Sequence, residues 1–263
     1  MTRASQSQSR RQFLAGAVAA GTGAALPVSP SLYRQSDRSP IVLVHGAWHG
    51  GWCWRRVADR LSAKGRYVVA PTLSGVGERS HLATAGITLS THIDDVVNDI
   101  KWKDLDHVVL VGHSYGGLVI TGIAERIRER IAAIVYLDAF IPADGQSMAV
   151  LRNGSAAPLA GPMTPAPPAA ALKVNATDVD WVNSKLTAHP TKCFTEPVRV
   201  SDAYQTIRHK VYIRAPAFAQ AAFDAAYARC RGDRQWKTIE MACGHDIMLD
   251  QPAELAAILD TLV

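Results

Sequence analysis

The chain has 263 residues, 48% of them hydrophobic, and a formal net charge of +5. That length and apolar content suffice for one large domain with a buried core, and no apolar run is long enough to span a bilayer. Arg3, Arg10 and Arg11 lie in a first stretch of thirty residues without an acidic one, which leaves only +2 for the rest. No Lys/Arg patch interleaved with aromatics remains, and this argues against a nucleic-acid partner.

Residues 1–30 read as an address rather than as structure. Ser9-Arg10-Arg11-Gln12-Phe13-Leu14, followed by the Gly/Ala-rich Ala15 to Leu26, resembles a twin-arginine export signal. A cut near Ala24 to Ser31 then leaves a Pro/Ser-rich leader over 31–40, and the expected location is periplasmic or secreted, with no membrane anchor in the mature form. Cys53, Cys193, Cys230 and Cys243 form no C-x-x-C. Buried free thiols are the expectation, although an oxidising destination permits disulfides.

From Ile41 onward, short apolar runs alternate with amphipathic stretches, the pattern of an α/β domain whose mostly parallel sheet is covered by helices on both faces. Ile41–Val44 reads as a strand and Trp54–Ala63 as a helix ending at Lys64-Gly65. Tyr67–Ala70 reads as a strand stopped by Pro71, and Leu89–Lys101 as a helix. Val108–Val111 is the next strand, Gly116–Arg128 the next helix and Ile131–Leu137 the strand after it. The rhythm then breaks over about 142–207, which is rich in Ala and Pro. An insertion of that length reads as a cap or lid. Lys210–Ile213, Phe218–Arg229, Trp236–Met241 and Pro252–Leu262 resume it as strand, helix, strand and helix, giving one catalytic domain over 41–263.

The chemistry concentrates at Gly112-His113-Ser114-Tyr115-Gly116, directly after the apolar run Val108–Val111. A serine flanked at two residues on each side by glycine, between a strand and a helix, reads as a nucleophile elbow. Its hydroxyl needs an imidazole to take its proton and a carboxylate to fix that imidazole's tautomer. His245, in a loop between the last strand and the last helix, is the natural base. His209 lies before its strand, at the wrong end of the sheet. An oxyanion requires two backbone amides. Tyr115, immediately after the nucleophile, supplies one, and Ala47 in the loop Val44-His45-Gly46-Ala47-Trp48 is the expected second. His45 and His49 are four apart, but in a Gly-rich loop rather than on a helix face, so structural roles are expected and no metal.

Val44-His-Gly-Ala-Trp-His-Gly-Gly-Trp-Cys-Trp54, the elbow, and Gly244-His245-Asp246 together resemble the α/β-hydrolase family of plant methylesterases and hydroxynitrile lyases with their bacterial esterase relatives. The resemblance runs from about Ile41 to the C-terminus and is weakest through the lid. It implies the α/β-hydrolase fold and a Ser, Asp/Glu, His order of catalytic groups. The lyases carry a threonine in the oxyanion loop and a lysine after the catalytic histidine, where this chain has Ala47 and Asp246, a departure that argues for ester hydrolysis. The plant members take their acid from the loop after the penultimate strand, but Val211-Tyr-Ile-Arg-Ala-Pro-Ala-Phe218 has no carboxylate. Asp138, ending the preceding strand at Val135-Tyr-Leu-Asp138, is the favoured acid, with Asp224 next and a water-bridged or missing acid after that.

Trp48, Trp52, Tyr115, Phe140, Met148 and Trp181 supply aromatic and soft apolar surface for a pocket. The expected activity is a serine carboxylesterase acting through an acyl-enzyme on small to medium esters with an apolar or aromatic portion. No cofactor is called for. A carbon–carbon lyase or a non-catalytic binding protein on the same scaffold are the rival expectations.

Overall fold

The computed structural model describes residues 38–153 and 159–263. The expected export signal, with Arg10 and Arg11, and most of the 31–40 leader lie outside them. Nine-residue helix α1 (Arg55–Ala63) follows strand β1 (Ile41–Val44) after a 3-10 turn over Gly51–Trp54. Strand β2 (Val68–Val69) and helix α2 (Leu89–Trp102) come next, then β3 (Val108–His113), α3 (Gly116–Ile127) and β4 (Ile131–Leu137). The inserted segment follows, and the α/β rhythm resumes downstream of residue 207.

The insertion is built of small pieces: helix α4 (Met148–Asn153), strand β5 (Met163–Thr164), helix α5 (Val179–Asn183), strand β6 (His189–Pro190) and helix α6 (Lys192–Thr195). Strands β5 and β6 pair antiparallel as a separate two-stranded ribbon. Strand β7 (His209–Arg214), helix α7 (Ala221–Arg231), strand β8 (Trp236–Glu240), and helices α8 (Ile247–Asp250) and α9 (Pro252–Asp260) complete the chain.

Among the described residues the main sheet has six strands in the order β2-β1-β3-β4-β7-β8, every neighbouring pair parallel. The central strands read as unbroken Val/Ile/Leu runs because both faces are covered. Alternation sorts their side chains: Val42, Val44, Leu110 and Tyr136 join one core with α2, α3 and α7, while Ile41, Leu43, Val109, Val111 and Val135 join the other with α1 and α9.

Two expectations needed adjustment. The strand expected over Tyr67–Ala70 shrinks to Val68–Val69, an edge strand paired on one side only, although Ile41 N–H still reaches the Tyr67 carbonyl at 2.9 Å. The helix expected from Phe218 starts at Ala221, where Gln220 caps it by accepting from the Ala222 amide. All four cysteines are free.

Candidate active site

Strand β3 ends in a turn that forces Ser114 to φ +54°, the left-handed region that costs an L-residue roughly 1–2 kcal/mol. The flanking glycines are steric necessities. A Cβ on Gly112 would stand 2.6 Å from the Gly116 carbonyl oxygen, and one on Gly116 would stand 2.9 Å from that of Val44. Ser114 N–H donates to Leu137 O at 3.2 Å, and Ser114 O accepts from Phe140 N–H at 3.3 Å. The elbow therefore straddles the end of β4, where Asp138 sits.

Asp138 is fully buried, at φ +43°. Its Oδ2 accepts from His245 Nδ1 at 2.6 Å, and its Oδ1 accepts from Ala215 N–H at 3.1 Å and Arg214 Nη1 at 2.5 Å. With Nδ1 donating to the carboxylate, the neutral His245 ring keeps a lone pair on Nε2. Its backbone is anchored as well: His245 N–H donates to Leu172 O at 3.1 Å and His245 O accepts from His113 Nε2 at 3.0 Å. Phe218 stacks on the imidazole at 4.3 Å and Phe223 lies near-parallel at 5.5 Å. Ser114 Oγ takes part in no hydrogen bond found among the described residues, and the serine keeps 8% of its surface accessible. Nucleophile–base bonds commonly tighten only when substrate arrives.

Asp224, the runner-up acid, meets a different partner. Its Oδ1 accepts from Arg214 Nε at 3.0 Å and Nη2 at 2.8 Å, and its side chain is 63% exposed. Arg214 thus bridges Asp138 and Asp224, and Asp138 is the carboxylate bonded to His245.

The loop after β1 lies against the elbow, since a Cβ on Gly46 would come within 3.0 Å of Ser114 Cβ. Among the described residues, the amides of Ala47 and Tyr115 donate no hydrogen bond, whereas the neighbouring Trp48 N–H is taken by His189 Nδ1 at 3.1 Å. Trp48 itself sits at φ +65°, its indole N–H donating to Thr164 O at 3.2 Å.

Trp48, Tyr115, Phe140 and Met148 share one buried apolar cluster, with Phe140 edge-on to Phe223 at 4.6 Å. Trp181 goes elsewhere. It is 36% exposed, packs edge-on to Trp52 at 5.1 Å and carries the Arg56 guanidinium over its ring at 5.6 Å. His92, His189 and Cys193 bring ligand-type atoms within 4.8 Å of one another. Both imidazoles are already committed: His92 donates from Nε2 to Ser74 O and accepts at Nδ1 from Tyr115 Oη, while His189 Nδ1 accepts from Trp48. With these bonds intact, neither neutral ring has a lone pair left for a metal.

Reading the sequence alone assigns no role to Arg214 or His113 and does not pair His49, expected to be structural, with Asp246, which it meets at 3.0 Å. The available signals were an arginine ending a buried strand where a carboxylate was sought, and an aspartate directly after the histidine.

The profile of the alpha/beta hydrolase family matches residues 41–258. A carbendazim hydrolyzing esterase from Nocardioides sp. (strain SG-4G) is 40% identical over 239 residues, covering 84% of this chain and 98% of that protein. Methylesterase 1 of Arabidopsis thaliana is 36% identical over 111 residues, covering 41% of this chain and 42% of the plant protein. Among solved structures, an extracellular alpha/beta-hydrolase from a Paenibacillus species, described as sharing structural and functional homology with tobacco salicylic acid binding protein 2, superposes with a TM-score of 0.71 at 24% identity, covering 86% of this chain and 99% of that one. An Arabidopsis methylesterase gives 0.67 at 22% identity, covering 84% and 97%. The chain belongs to the alpha/beta hydrolase family and is an enzyme of the esterase type.

Proposed function

We propose that this chain is a serine carboxylesterase that cleaves small to medium esters with an apolar or aromatic portion through an acyl-enzyme. Ser114 Oγ attacks the ester carbonyl while His245 Nε2 takes its proton, and Asp138 holds the imidazolium that forms. The tetrahedral oxyanion is held by the Ala47 and Tyr115 amides. Collapse expels the alcohol, which receives the proton from His245. Water, deprotonated by the same nitrogen, then releases the acid and restores Ser114. The observation that carries this reading is the 2.6 Å bond from His245 Nδ1 to Asp138 Oδ2 beside a serine at φ +54°.

The acyl or alcohol group would pack against Trp48, Phe140 and Met148, which lie in the cluster beside the elbow. Trp181, packed on Trp52 and Arg56, has weaker support as a pocket residue. The name of the Nocardioides relative makes carbendazim a compound to assay beside simple esters. A cyanohydrin lyase is disfavoured by position 246, where the resembling lyases have a lysine and this chain has a buried carboxylate. Export by the twin-arginine route, with action in the periplasm or outside the cell, belongs to the same proposal and rests on Ser9–Leu14. Replacing Arg10 and Arg11 with lysines should retain the protein in the cytoplasm.

The test is hydrolysis of short p-nitrophenyl esters by the leaderless protein. Ser114→Ala should abolish turnover, and Asp138→Asn should lower it by orders of magnitude while Asp224→Asn leaves it nearly intact. Turnover that survives Ser114→Ala would overturn the reading.

A further inference from the structure

Two consecutive peptide units of the loop after β1 are gripped by three buried histidines. The carbonyl of Gly46 accepts from His45 Nδ1 at 2.8 Å, and His45 Nε2 accepts from Leu73 N–H at 3.1 Å, so His45 is the neutral Nδ1–H tautomer. Burial, the largest cause, pushes its imidazole down to about 3, in keeping with that neutrality. In a trans peptide the N–H points opposite to the C=O. Holding Gly46 O therefore fixes the direction of the Ala47 N–H. The next peptide is held at both ends: Ala47 O faces His49 Nδ1 at 2.7 Å and Trp48 N–H donates to His189 Nδ1 at 3.1 Å.

His49 differs from the other two. Its Nδ1 faces a carbonyl oxygen and its Nε2 faces Asp246 Oδ2 at 3.0 Å. A carbonyl has no proton to give and a carboxylate only accepts, so both ring nitrogens must donate. The side chains of His49 and Asp246 are 2% and 0% exposed. Burial alone would raise the Asp246 carboxyl, but the charge of His49 and its hydrogen bond outweigh that and hold it below the usual carboxylate range. Burial alone would lower His49, and the charge and bond of Asp246 reverse this too. The other groups facing the pair are His113, whose Nε2 is 3.8 Å from Asp246 Oδ1, and Trp52, stacked on the His49 ring at 5.3 Å. His45 and His245 lie close enough to act on the pair electrostatically.

We propose that His49 is a buried imidazolium paired with Asp246, and that this ion pair is a positioning device that locks the Ala47–Trp48 peptide so that, of the Ala47 and Trp48 amides, Ala47 N–H is the one left to join Tyr115 N–H at an oxyanion. The purpose assigned to the loop rests on the esterase reading above; the protonation state of His49 does not. A charged hydrogen bond to Ala47 O is stronger than a neutral one, and His49 and His189, one at each end of that peptide, together oppose its flipping.

Two experiments on the leaderless protein decide it. Nitrogen-15 spectra of histidine-labelled wild type, assigned with His49→Gln, should show both ring nitrogens of His49 protonated at pH 8. His49→Gln and Asp246→Asn should each lower kcat by about ten- to hundredfold, less than the roughly 10²–10³ cost of deleting an oxyanion donor. KM should stay within about twofold, and affinity for a boronic-acid transition-state analogue should fall in parallel with kcat. A neutral His49 in wild type, or folded variants with wild-type kcat, would overturn the proposal. If Ser114→Ala were fully active the esterase reading would fail, while the spectra would still decide the imidazolium.

Discussion

Arg214 bonds the Asp138 oxygen that does not face His245. Its Nη1 lies 2.5 Å from Asp138 Oδ1, while His245 Nδ1 lies 2.6 Å from Oδ2. The same guanidinium reaches Asp224 and the carbonyls of Ala215 and Phe218. A buried carboxylate between an imidazole and an arginine has its lone pairs satisfied and one orientation available to it.

That arrangement gives the two ion pairs of Arg214 very different worth. Arg214→Gln strands Asp138 without its cation, and breaking a buried pair in this way costs about 3–5 kcal/mol. Asp224→Asn removes a partner whose side chain is 63% exposed, and exposed pairs are worth about 0–1 kcal/mol. Urea melts at pH 7 should separate the two variants accordingly, with activity lost in the first and kept in the second. Equal stability losses would show that the pair with Asp138 is not the dominant one.

How much of this was legible depended on the range of the interaction. The elbow is local: a strand, a strained serine and two glycines within the nine residues Val108 to Gly116, so sequence spacing carries it. Ser114 and His245 could be read from the order of elements along the chain. Arg214 could not, because its meeting with Asp138 arises from the register that sets Leu137 beside Ile213 across β4 and β7, and nothing in either strand's own pattern encodes that register. The inserted segment resisted for a different reason, since strands of two residues such as Met163–Thr164 leave no periodicity to detect.

Buried neutral histidines make acid stability a second prediction. Burial, the leading cause in each case, pushes His45 down to about 3 and His92 to about 4, and His113 and His189 well below the ordinary imidazole value. In the unfolded chain each titrates near about 6.5, so below that pH the unfolded state binds more protons and stability falls as pH falls. His49 has the opposite sign: its raised value contributes stability below about pH 6.5 that is lost as pH rises through its folded value. Both states hold its proton near pH 5, where it adds nothing to the slope. In urea melts the number of protons taken up on unfolding should rise from near zero at pH 7, where His49 offsets the other four, to about three to four between pH 6 and 5, at about 1.4 kcal/mol per pH unit for each. A flat profile over that window would contradict the assignment.

Gly46→Ala probes the approach of the loop after β1 to Ser114, the two sides of the proposed oxyanion site. The new Cβ would meet His113 Nδ1 at 2.8 Å and Ser114 Cβ at 3.0 Å, contacts too short to persist without moving the loop. Overpacking of this kind costs about 1–3 kcal/mol, and displacement of Ala47 N–H should lower kcat by about tenfold or more. Steady-state kinetics with a p-nitrophenyl ester would check it, and an unchanged kcat would show that the loop is not near the reacting atoms.

In the proposed mechanism Ser114 forms the acyl-enzyme. This step is tested most directly by rapid quench of the leaderless protein with a p-nitrophenyl ester, followed by intact-mass and peptide analysis. A mass increase equal to the acyl group should appear on the peptide containing Ser114, decay at the turnover rate and be absent in Ser114→Ala. Turnover with no adduct above background, or an adduct mapped to another residue, would contradict the mechanism.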